Sequence, residues 1–326
     1  MKERELVSIV MPIYRVERFI AQAIGSVLEQ TYDHFELILV DDGSDDASMD
    51  IARSFDDPRI RVIRQANAGL AAARNTGIAA SKGEFVALLD SDDYWHAQKL
   101  TRHVEHLQQE PMVGVSFAGS VLVTEDGEAS GVAQRPQLTG ITSATLLCRN
   151  PIGNGSAPVF RREVLEQTVS IRAGRKHYFD ESLRQSEDVE YWVRIALTTD
   201  WIFEGIAGTW TYYRINQFGL SANVEKQFSA WKTACGSNEK LDPTFFSLWF
   251  NTAAAFQCRY LARRAVQSKD PWGALKMLSR GMFYDAGALV VDYRKTIGTI
   301  AGVFAVALLP EKAIAWLRGY AGQLGA

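Results

Sequence analysis

Short apolar runs alternate with amphipathic stretches through the first ninety residues of the chain. The runs have the length of buried strands, and the stretches between them repeat apolar residues at helical spacing. This alternation predicts a parallel sheet with right-handed crossovers, and therefore an α/β fold. The predicted strands are residues 7–11, 36–40, 60–63 and 84–89, and the predicted helices are residues 17–29, 47–55 and 69–81.

The pattern is less regular in the middle of the chain and becomes helical towards its C-terminus. Tyr94 and Trp95 follow the fourth strand and are predicted to enter a helix. Two further strands are predicted at 113–123 and 157–160, after which apolar residues recur at helical spacing from Ser186, a plausible N-cap. The predicted division is a domain at 1–239, with halves at about 1–110 and 111–239, and a helical module at 240–326 whose helices begin near Pro243 and Pro271.

Charge and cysteine content narrow the possible partners. The net charge of −3 provides no global basic field, so nucleic acid is not an expected partner. Residues 240–326 contain 11 Lys/Arg and 5 Asp/Glu, a net charge of +6, which leaves −9 for residues 1–239. Three cysteines without metal-like spacing indicate neither a disulfide framework nor a zinc site, so a reducing compartment is expected.

Two features bear on the membrane. The first five residues lack the apolar core of a signal peptide, and the longest near-apolar run, Ile297–Leu309, has 13 residues, fewer than the roughly 20 of a spanning helix. Basic and aromatic residues flank this run, which suits a helix lying on an anionic membrane surface. A buried helix that closes the C-terminal bundle explains the run equally well.

Polar side chains follow several predicted strands, at the sheet edge where α/β proteins bind ligands. Asp90 and Asp92 are two positions apart, and their carboxylates suit Mg²⁺ or Mn²⁺. An acidic turn that caps a helix is the alternative for this pair. Arg74 could pair with a phosphate or a carboxylate, or could be an ordinary surface residue. Asp188 lies in the first turn of a predicted helix, where the macrodipole favours the anion and where acidic residues are also common without catalytic purpose.

Two phosphate-binding motifs are absent. The first strand is not followed by the glycine-rich dinucleotide fingerprint or by a P-loop, which argues against hydride transfer and ATP hydrolysis by those routes.

Four segments together resemble the family 2 glycosyltransferases of the GT-A fold, over roughly residues 5–220. The segments are Ser8-Ile9-Val10-Met11-Pro12-Ile13-Tyr14, Val40-Asp41-Asp42-Gly43-Ser44, Asn67–Gly77 with its Ala73-Arg74-Asn75, and Leu89-Asp90-Ser91-Asp92-Asp93. The resemblance implies a Rossmann-like, mostly parallel sheet flanked by helices that binds a nucleotide diphosphate sugar, usually with a divalent metal. The nucleotide-binding half is then residues 1–110 and the acceptor half 111–239.

The resemblance also implies roles for individual residues. Pro12 and Tyr14 would line a uridine pocket, Asp42 or Asp41 would bind the base, and Asp90 would face the ribose or the sugar. Asp92, with Asp90, would ligate Mn²⁺ or Mg²⁺. The other residues implied in donor binding are Asn67, Gly69, Arg74, Ser91 and Arg214. For Arg214, a structural salt bridge is the alternative to neutralising phosphate charge.

The acceptor half carries the implied catalytic residues. The family has a Glu-Asp pair at Glu187 and Asp188, so Asp188 would be the general base, supported by Glu187, and transfer would invert the anomeric configuration. Thr211–Ser221 resembles the family's Tyr-Arg segment, but Asn216-Gln217-Phe218 stands where many members have a histidine. That departure leaves a metal ligand from this loop in doubt. The segments 113–123 and 150–160 are expected to form a wall that faces the acceptor.

The main hypothesis is therefore a metal-dependent inverting transferase that moves a sugar from a UDP-sugar to a hydroxyl of a glycan or lipid-linked acceptor, as in bacterial surface polysaccharide assembly. Its expected location is cytoplasmic, or peripheral at the inner face of the membrane through the C-terminal module. One alternative is a nucleotidyltransferase, which the absence of a glycine- and lysine-rich N-terminal loop disfavours. Another is a non-catalytic scaffold, which has no need of the carboxylates at Asp42, Asp92 and Asp188.

Overall fold

A computed structural model describes residues 4–215 and 223–308. The predictions for residues 216–218 and for the basic and aromatic flank after residue 308 lie outside this range. The described residues divide into two compact units. The first lies within Met1–Leu146 and Asn150–Ile215, and the second within Leu147–Arg149 and Asn216–Ala326.

The first unit begins with the predicted alternation of strands and helices. β1 lies between β2 and β4, and β3 is at the edge, all four parallel, so the predicted parallel sheet is confirmed. β1 is completely buried because helices cover both faces of such a sheet. The elements are β1 (Val7–Ile13), α1 (Ile20–Leu28), β2 (Phe35–Asp41), α2 (Ser48–Arg53), β3 (Ile60–Arg64), α3 (Leu70–Ala80) and β4 (Phe85–Leu88).

The sheet continues beyond β4 with mixed polarity. Its order is β3-β2-β1-β4-β8-β6-β11-β5, with β7 paired to β6, and β8 runs antiparallel to both neighbours. β11 runs parallel to β6. The elements are β5 (Tyr94–Trp95), α4 (Lys99–Gln109), β6 (Val113–Val123), β7 (Ala129–Gln134), α5 (Ser143–Arg149), β8 (Val159–Arg161), α6 (Arg162–Thr168), β9 (Ser170–Arg172), β10 (Arg175–His177), α7 (Glu187–Thr198) and β11 (Ile202–Arg214).

The prediction of a helix at Tyr94 and Trp95 was wrong. These residues form β5, which pairs with Thr211 and Tyr212 of β11. The rings of Tyr94 and Tyr212 stack with their centroids 4.5 Å apart. The following helix begins only at Lys99. Pairing with β11, more than a hundred residues away in the sequence, therefore stabilises an extended backbone at Tyr94 and Trp95.

Helix α3 approaches the parallel sheet closely at Gly77. A Cβ atom at this position would collide with Cγ1 of Val10 and would lie 3.1 Å from Cγ2 of Val40. A helical glycine ordinarily costs up to about 1 kcal/mol relative to alanine. Here the missing methyl group is what lets α3 pack against β1 and β2.

We expect Gly77→Ala to lower the free energy of unfolding by about 1–2 kcal/mol, because overpacking outweighs the gain in helix propensity. Gly25→Ala is the matched control, since Gly25 also lies in a helix and its Cβ would meet no atom within 4 Å. That control should raise the free energy of unfolding by about 0.5–1 kcal/mol. Urea denaturation of both variants measures the difference, and equal stabilisation would contradict the close contact.

The second unit is helical, as predicted. Its helices are α8 (Val224–Glu239), α9 (Pro243–Gln267), α10 (Pro271–Val291) and α11 (Tyr293–Leu308). The side chains of Asp242 and Asp270 accept backbone hydrogen bonds as N-caps directly before Pro243 and Pro271. α8 belongs with this unit, although sequence analysis placed the domain boundary after residue 239. The physical reason is an aromatic cluster that joins α8 to α9 and α10, formed by Phe228, Trp231, Phe250 and Tyr284.

Helix α11 contains most of the apolar run that sequence analysis assigned either to a membrane surface or to a bundle core. Thr299 and Val303 are buried, but Ile297, Phe304 and Leu308 are exposed. A helix buried all round would hide these three, so the bundle-closing alternative was wrong for this face. Within the described residues, no helix is long and apolar enough to cross a membrane.

Candidate active site

Two neighbouring carboxylates end β2, and backbone donors hold both. Asp42 Oδ1 accepts from the Ala68 backbone nitrogen at 2.9 Å, and Oδ2 accepts from that of Gly69 at 2.9 Å. Asp41 Oδ1 accepts from the backbone of Gly43 and Ser44. Both side chains are buried. The loop that contains Asn67 is thereby fixed beside the end of β2.

The other residues predicted for the donor surround this edge. Pro12 is buried in β1, and Tyr14 directly after the strand is 42% exposed. Gly69 has φ +94, and its Cβ would collide with the guanidinium of Arg184. That guanidinium donates to the Ala68 carbonyl oxygen at 3.1 Å. The absence of a side chain at Gly69 therefore allows the Arg184 guanidinium to approach the backbone closely.

A buried arginine connects the sheet edge to the acceptor half. Arg74 Nη2 donates to Asp90 Oδ1 at 2.6 Å, and Arg74 Nη1 donates to Glu187 Oε1 at 2.8 Å. The Arg74 side chain is only 2% exposed, so water screens these ion pairs weakly. The guanidinium also lies 5.4 Å from the centroid of the Phe179 ring. The surface-residue alternative for Arg74 was wrong.

The acidic loop after β4 is shaped by Ser156. The Ser156 hydroxyl accepts from the Asp90 backbone nitrogen at 3.0 Å and donates to Asp93 Oδ2 at 2.6 Å. Asp93 Oδ1 accepts from the Arg214 backbone nitrogen at 2.9 Å. Ser91 is buried within the same loop. The segment 150–156, expected to face an acceptor, thus lies against this loop through Ser156.

Asp92 differs from Asp90 because its carboxylate forms no ion pair within the described residues, while its carbonyl oxygen accepts from Arg214 Nε at 2.7 Å. Burial and the negative charge of Asp90 raise the pKa of Asp92 to about 6. A half-buried carboxylate that forms no ion pair within the described residues has the properties of a ligand for a hard divalent cation.

The site offers a metal ion two carboxylate ligands rather than a full set of protein ligands. Among the described residues there is no group of three or more His, Cys, Asp or Glu side chains that could hold a metal. Mg²⁺ is commonly bound by one or two carboxylates together with substrate phosphates. Asp92, with Asp90 beside it, fits that arrangement.

Asp188 lies in the first turn of α7. Its Oδ1 accepts from the Val189 backbone nitrogen at 2.7 Å, and Ser186 occupies the N-cap position with φ 61 and no side-chain cap hydrogen bond. Burial and the neighbouring Glu187 raise the pKa of Asp188 to about 7. The helix macrodipole alone predicted a stabilised anion, but desolvation and like charge outweigh it. A carboxylate with a pKa near neutrality is better suited to accept a proton.

The Arg214 guanidinium donates its hydrogen bonds to other groups of the protein. Its Nη1 donates to the carbonyl oxygens of Thr124 and Glu125, and its Nη2 donates to Gln22 Oε1 at 2.7 Å. Nε binds Asp92 as described above, and the residue is buried. The geometry favours a structural role, so we leave Arg214 out of the proposed donor site.

Three residues escaped the sequence-based list of site residues. Asn75 binds the backbone of Tyr178 and Phe179 through its side-chain oxygen at 3.0 and 2.8 Å, although only its neighbour Arg74 was selected. Ser156 and Arg184 were not selected because an isolated serine or arginine carries no local signal. The only cue was that Ser156 lies in the segment 150–160, expected to face the acceptor, and that Arg184 lies in the acceptor half 111–239.

Comparison with known proteins identifies the family of this chain. The family model Glycosyl transferase family 2 matches residues 8–169. The chain is 38% identical over 192 residues to the uncharacterized glycosyltransferase EpsJ of Bacillus subtilis, covering 56% of this chain and 54% of that protein. It is 31% identical over 224 residues to an Escherichia coli protein, UDP-Glc:alpha-D-GlcNAc-diphosphoundecaprenol beta-1,3-glucosyltransferase WfgD, covering 68% of this chain and 82% of that protein. The chain spans about half the length of EpsJ and of two other curated relatives that it matches.

Solved structures share the fold at low sequence identity. The mannosyltransferase PcManGT from Pyrobaculum calidifontis, in complex with GDP-Man and Mn²⁺, aligns with a TM-score of 0.56 and 20% identity over 94% of this chain and 87% of that one. S. aureus TarS in complex with UDP-GlcNAc aligns with a TM-score of 0.55 and 17% identity over 95% of this chain and 83% of that one. The predicted GT-A architecture is confirmed at the level of the fold.

Proposed function

The chain belongs to glycosyltransferase family 2, and on that premise we propose that it transfers a sugar from a UDP-sugar to an acceptor hydroxyl with inversion at the anomeric carbon. The observation that carries the proposal is the buried Arg74, which binds Asp90 at the sheet edge and Glu187 at the start of α7. One side chain thus links Asp90 in the proposed donor site to Glu187, the residue next to the proposed base Asp188.

The proposed donor site lies along the ends of the parallel strands. Tyr14 and Pro12 flank the base, with Asp42 or Asp41 accepting from the uracil imide. The backbone donors of Ala68 and Gly69 fix the orientation of the Asp42 carboxylate at this position. UDP is the proposed nucleotide because TarS is described with UDP-GlcNAc and WfgD as UDP-Glc dependent.

In the proposed reaction Asp188 accepts the acceptor's hydroxyl proton. The acceptor oxygen then attacks the anomeric carbon, and the bond from that carbon to the diphosphate oxygen breaks, so that UDP leaves with the electron pair. Glu187, held by Arg74, keeps a negative charge beside Asp188 and helps to raise its pKa. Asp92 and Asp90 would hold Mn²⁺ or Mg²⁺, which when bound offsets the charge on the diphosphate.

The proposed acceptor is a hydroxyl of a glycan, linked to a lipid diphosphate, in polysaccharide assembly. Support comes from the relatives' descriptions, since WfgD is described as acting on a diphosphoundecaprenol-linked sugar and TuaG of Bacillus subtilis as a putative teichuronic acid biosynthesis glycosyltransferase. An acceptor of this class lies at a membrane surface, which is the proposed place of action.

The raised pKa of Asp188 predicts a pH dependence. Asp188 must be deprotonated to accept a proton, so kcat/KM should rise with pH to a plateau with a midpoint near 7. Below the midpoint kcat/KM should fall about tenfold per pH unit, and more steeply below pH 6 as Asp92 also protonates. Initial rates at subsaturating donor measure the profile, and a flat profile from pH 5 to 8 would contradict the base assignment.

Calorimetric binding of UDP, GDP and CDP, with and without Mn²⁺, tests the donor site. We expect UDP to bind most tightly and only with Mn²⁺, and Asp92→Asn to weaken that binding at least about 10-fold because a neutral amide replaces an anionic ligand. Asp126→Asn is the matched control, because the Asp126 side chain is 85% exposed. No nucleotide binding under either condition would favour a scaffold. Release of pyrophosphate from a nucleoside triphosphate would favour a nucleotidyltransferase.

A further inference from the structure

The second unit contains a cavity of about 430 Å³ between α9 and α11. Three cationic side chains line it, Arg263 from α9 and Arg294 and Lys295 from α11, and no carboxylate is among its lining residues. Gly298 forms part of the wall, where a Cβ atom would meet nothing within 4 Å. The cavity therefore has free space next to Gly298, and its rim is positively charged.

The rim has little internal charge compensation. Arg263 is exposed and makes no ion pair within the described residues. Lys295 Nζ lies 3.7 Å from Asp292 Oδ2, but that oxygen is already bound by Arg149 at 2.6 Å and by Arg259 at 2.7 Å. The rim thus keeps a positive charge that an anion can neutralise.

An exposed apolar stripe runs along α11 beside this rim. Ile297, Phe304 and Leu308 are 59%, 61% and 76% exposed, and their spacing of seven and then four residues places them on one face. Arg294 lies three residues before Ile297, so it borders the stripe. Val291, at the end of α10, is 82% exposed just before α11 begins. Cations therefore adjoin apolar side chains that have no partner among the described residues.

We propose that the cavity between α9 and α11 and the apolar stripe on α11 together bind the surface of an anionic phospholipid bilayer. The phosphate of a lipid headgroup enters the cavity beside Arg263, Arg294 and Lys295, and the stripe lies at the boundary between headgroups and acyl chains. Charge complementarity selects this occupant, because cations next to an unpartnered apolar face match that boundary. The proposal does not depend on the transfer reaction.

Co-sedimentation of the full chain with vesicles tests the proposal. Binding should be strong to phosphatidylcholine vesicles that contain phosphatidylglycerol and weak to phosphatidylcholine alone. Replacing Arg263, Arg294 and Lys295 together by Gln should weaken binding to the anionic vesicles roughly 100-fold, at about 5-fold per cation. The matched control replaces the exposed Lys226, Lys232 and Lys240 by Gln, which removes the same charge elsewhere in the unit and should cost much less.

Two further variants separate the parts of the surface. Gly298→Leu fills the cavity without changing charge and should weaken binding to the anionic vesicles about 10-fold. Replacing Ile297, Phe304 and Leu308 by Ser should weaken binding to both vesicle types. Folding of each variant is checked by circular dichroism, and UDP binding in the first unit should be unchanged.

Several results would overturn the proposal. One such result is that the full chain stays in solution with both vesicle types. Another is that Gly298→Leu binds the anionic vesicles as tightly as the wild type does. Binding of inorganic phosphate without vesicle binding would assign the cavity to a soluble anion. A dimer that dissociates when the stripe is replaced by Ser would assign the stripe to a second copy of the chain.

Discussion

Asp188→Asn is expected to lower kcat by about 10²- to 10⁴-fold while leaving the Kd for UDP within about 3-fold of the wild-type value. The amide cannot accept the acceptor's proton, whereas the donor residues lie on other elements. Asp188 is suited to this role because burial and Glu187 raise its pKa to about 7. Turnover with UDP-sugar, measured as UDP release, together with calorimetric UDP binding, separates the two effects.

The control for this variant is Asp50→Asn. Asp50 is also an acidic residue in the first turn of a helix, but its side chain is 85% exposed and lies in α2. It should keep wild-type kcat. If Asp188→Asn retains wild-type turnover, Asp188 is an ordinary first-turn acid and the base must be sought elsewhere. If it loses UDP binding in parallel with turnover, the substitution has disturbed the shared network around Arg74.

Arg74→Met is expected to lower the free energy of unfolding by about 3–5 kcal/mol. Methionine replaces the volume of the side chain but not its charge. Asp90 and Glu187 would then lose the cation that each contacts within 2.8 Å. The cost arises from leaving carboxylates desolvated without a partner, rather than from the worth of the ion pairs themselves. Urea denaturation followed by circular dichroism measures the change.

Adding Glu187→Gln to Arg74→Met should recover part of that loss, because one of the unpaired carboxylates is removed. Arg53→Met is the control, since Arg53 forms an exposed pair with Asp50 and should change the free energy of unfolding by less than about 0.5 kcal/mol. Equal effects of Arg74→Met and Arg53→Met would show that Arg74 does not bridge the two halves of the site.

The local pattern of apolar and polar residues was sufficient to predict the strands of the parallel half of the sheet. Val7–Met11 is apolar except for Ser8, and Glu36–Val40 is apolar after Glu36, because β1 and β2 are covered on both faces. The apolar pattern of these runs therefore predicts their burial. Helix starts at Pro243 and Pro271 were predictable because proline favours the first helical position, and the structure adds an aspartate N-cap before each. Tyr94 and Trp95 were not, because their strand exists only through pairing with β11.

The candidate site likewise has features that could be predicted from the sequence and features that only the structure showed. The family resemblance of the sequence selected the carboxylates at Asp42, Asp92 and Asp188 as candidates, since motif residues keep their order and spacing along the chain. Only the tertiary structure showed that Arg74 binds Glu187, that Ser156 holds the acidic loop, and that α11 turns an apolar face outward. The Arg74 and Ser156 contacts join residues 113 and 66 positions apart, and the exposure of α11 depends on what packs beside it. Local sequence patterns encode helix, strand and motif, whereas the partner of a buried charge and the covering of a helix face are decided by long-range packing.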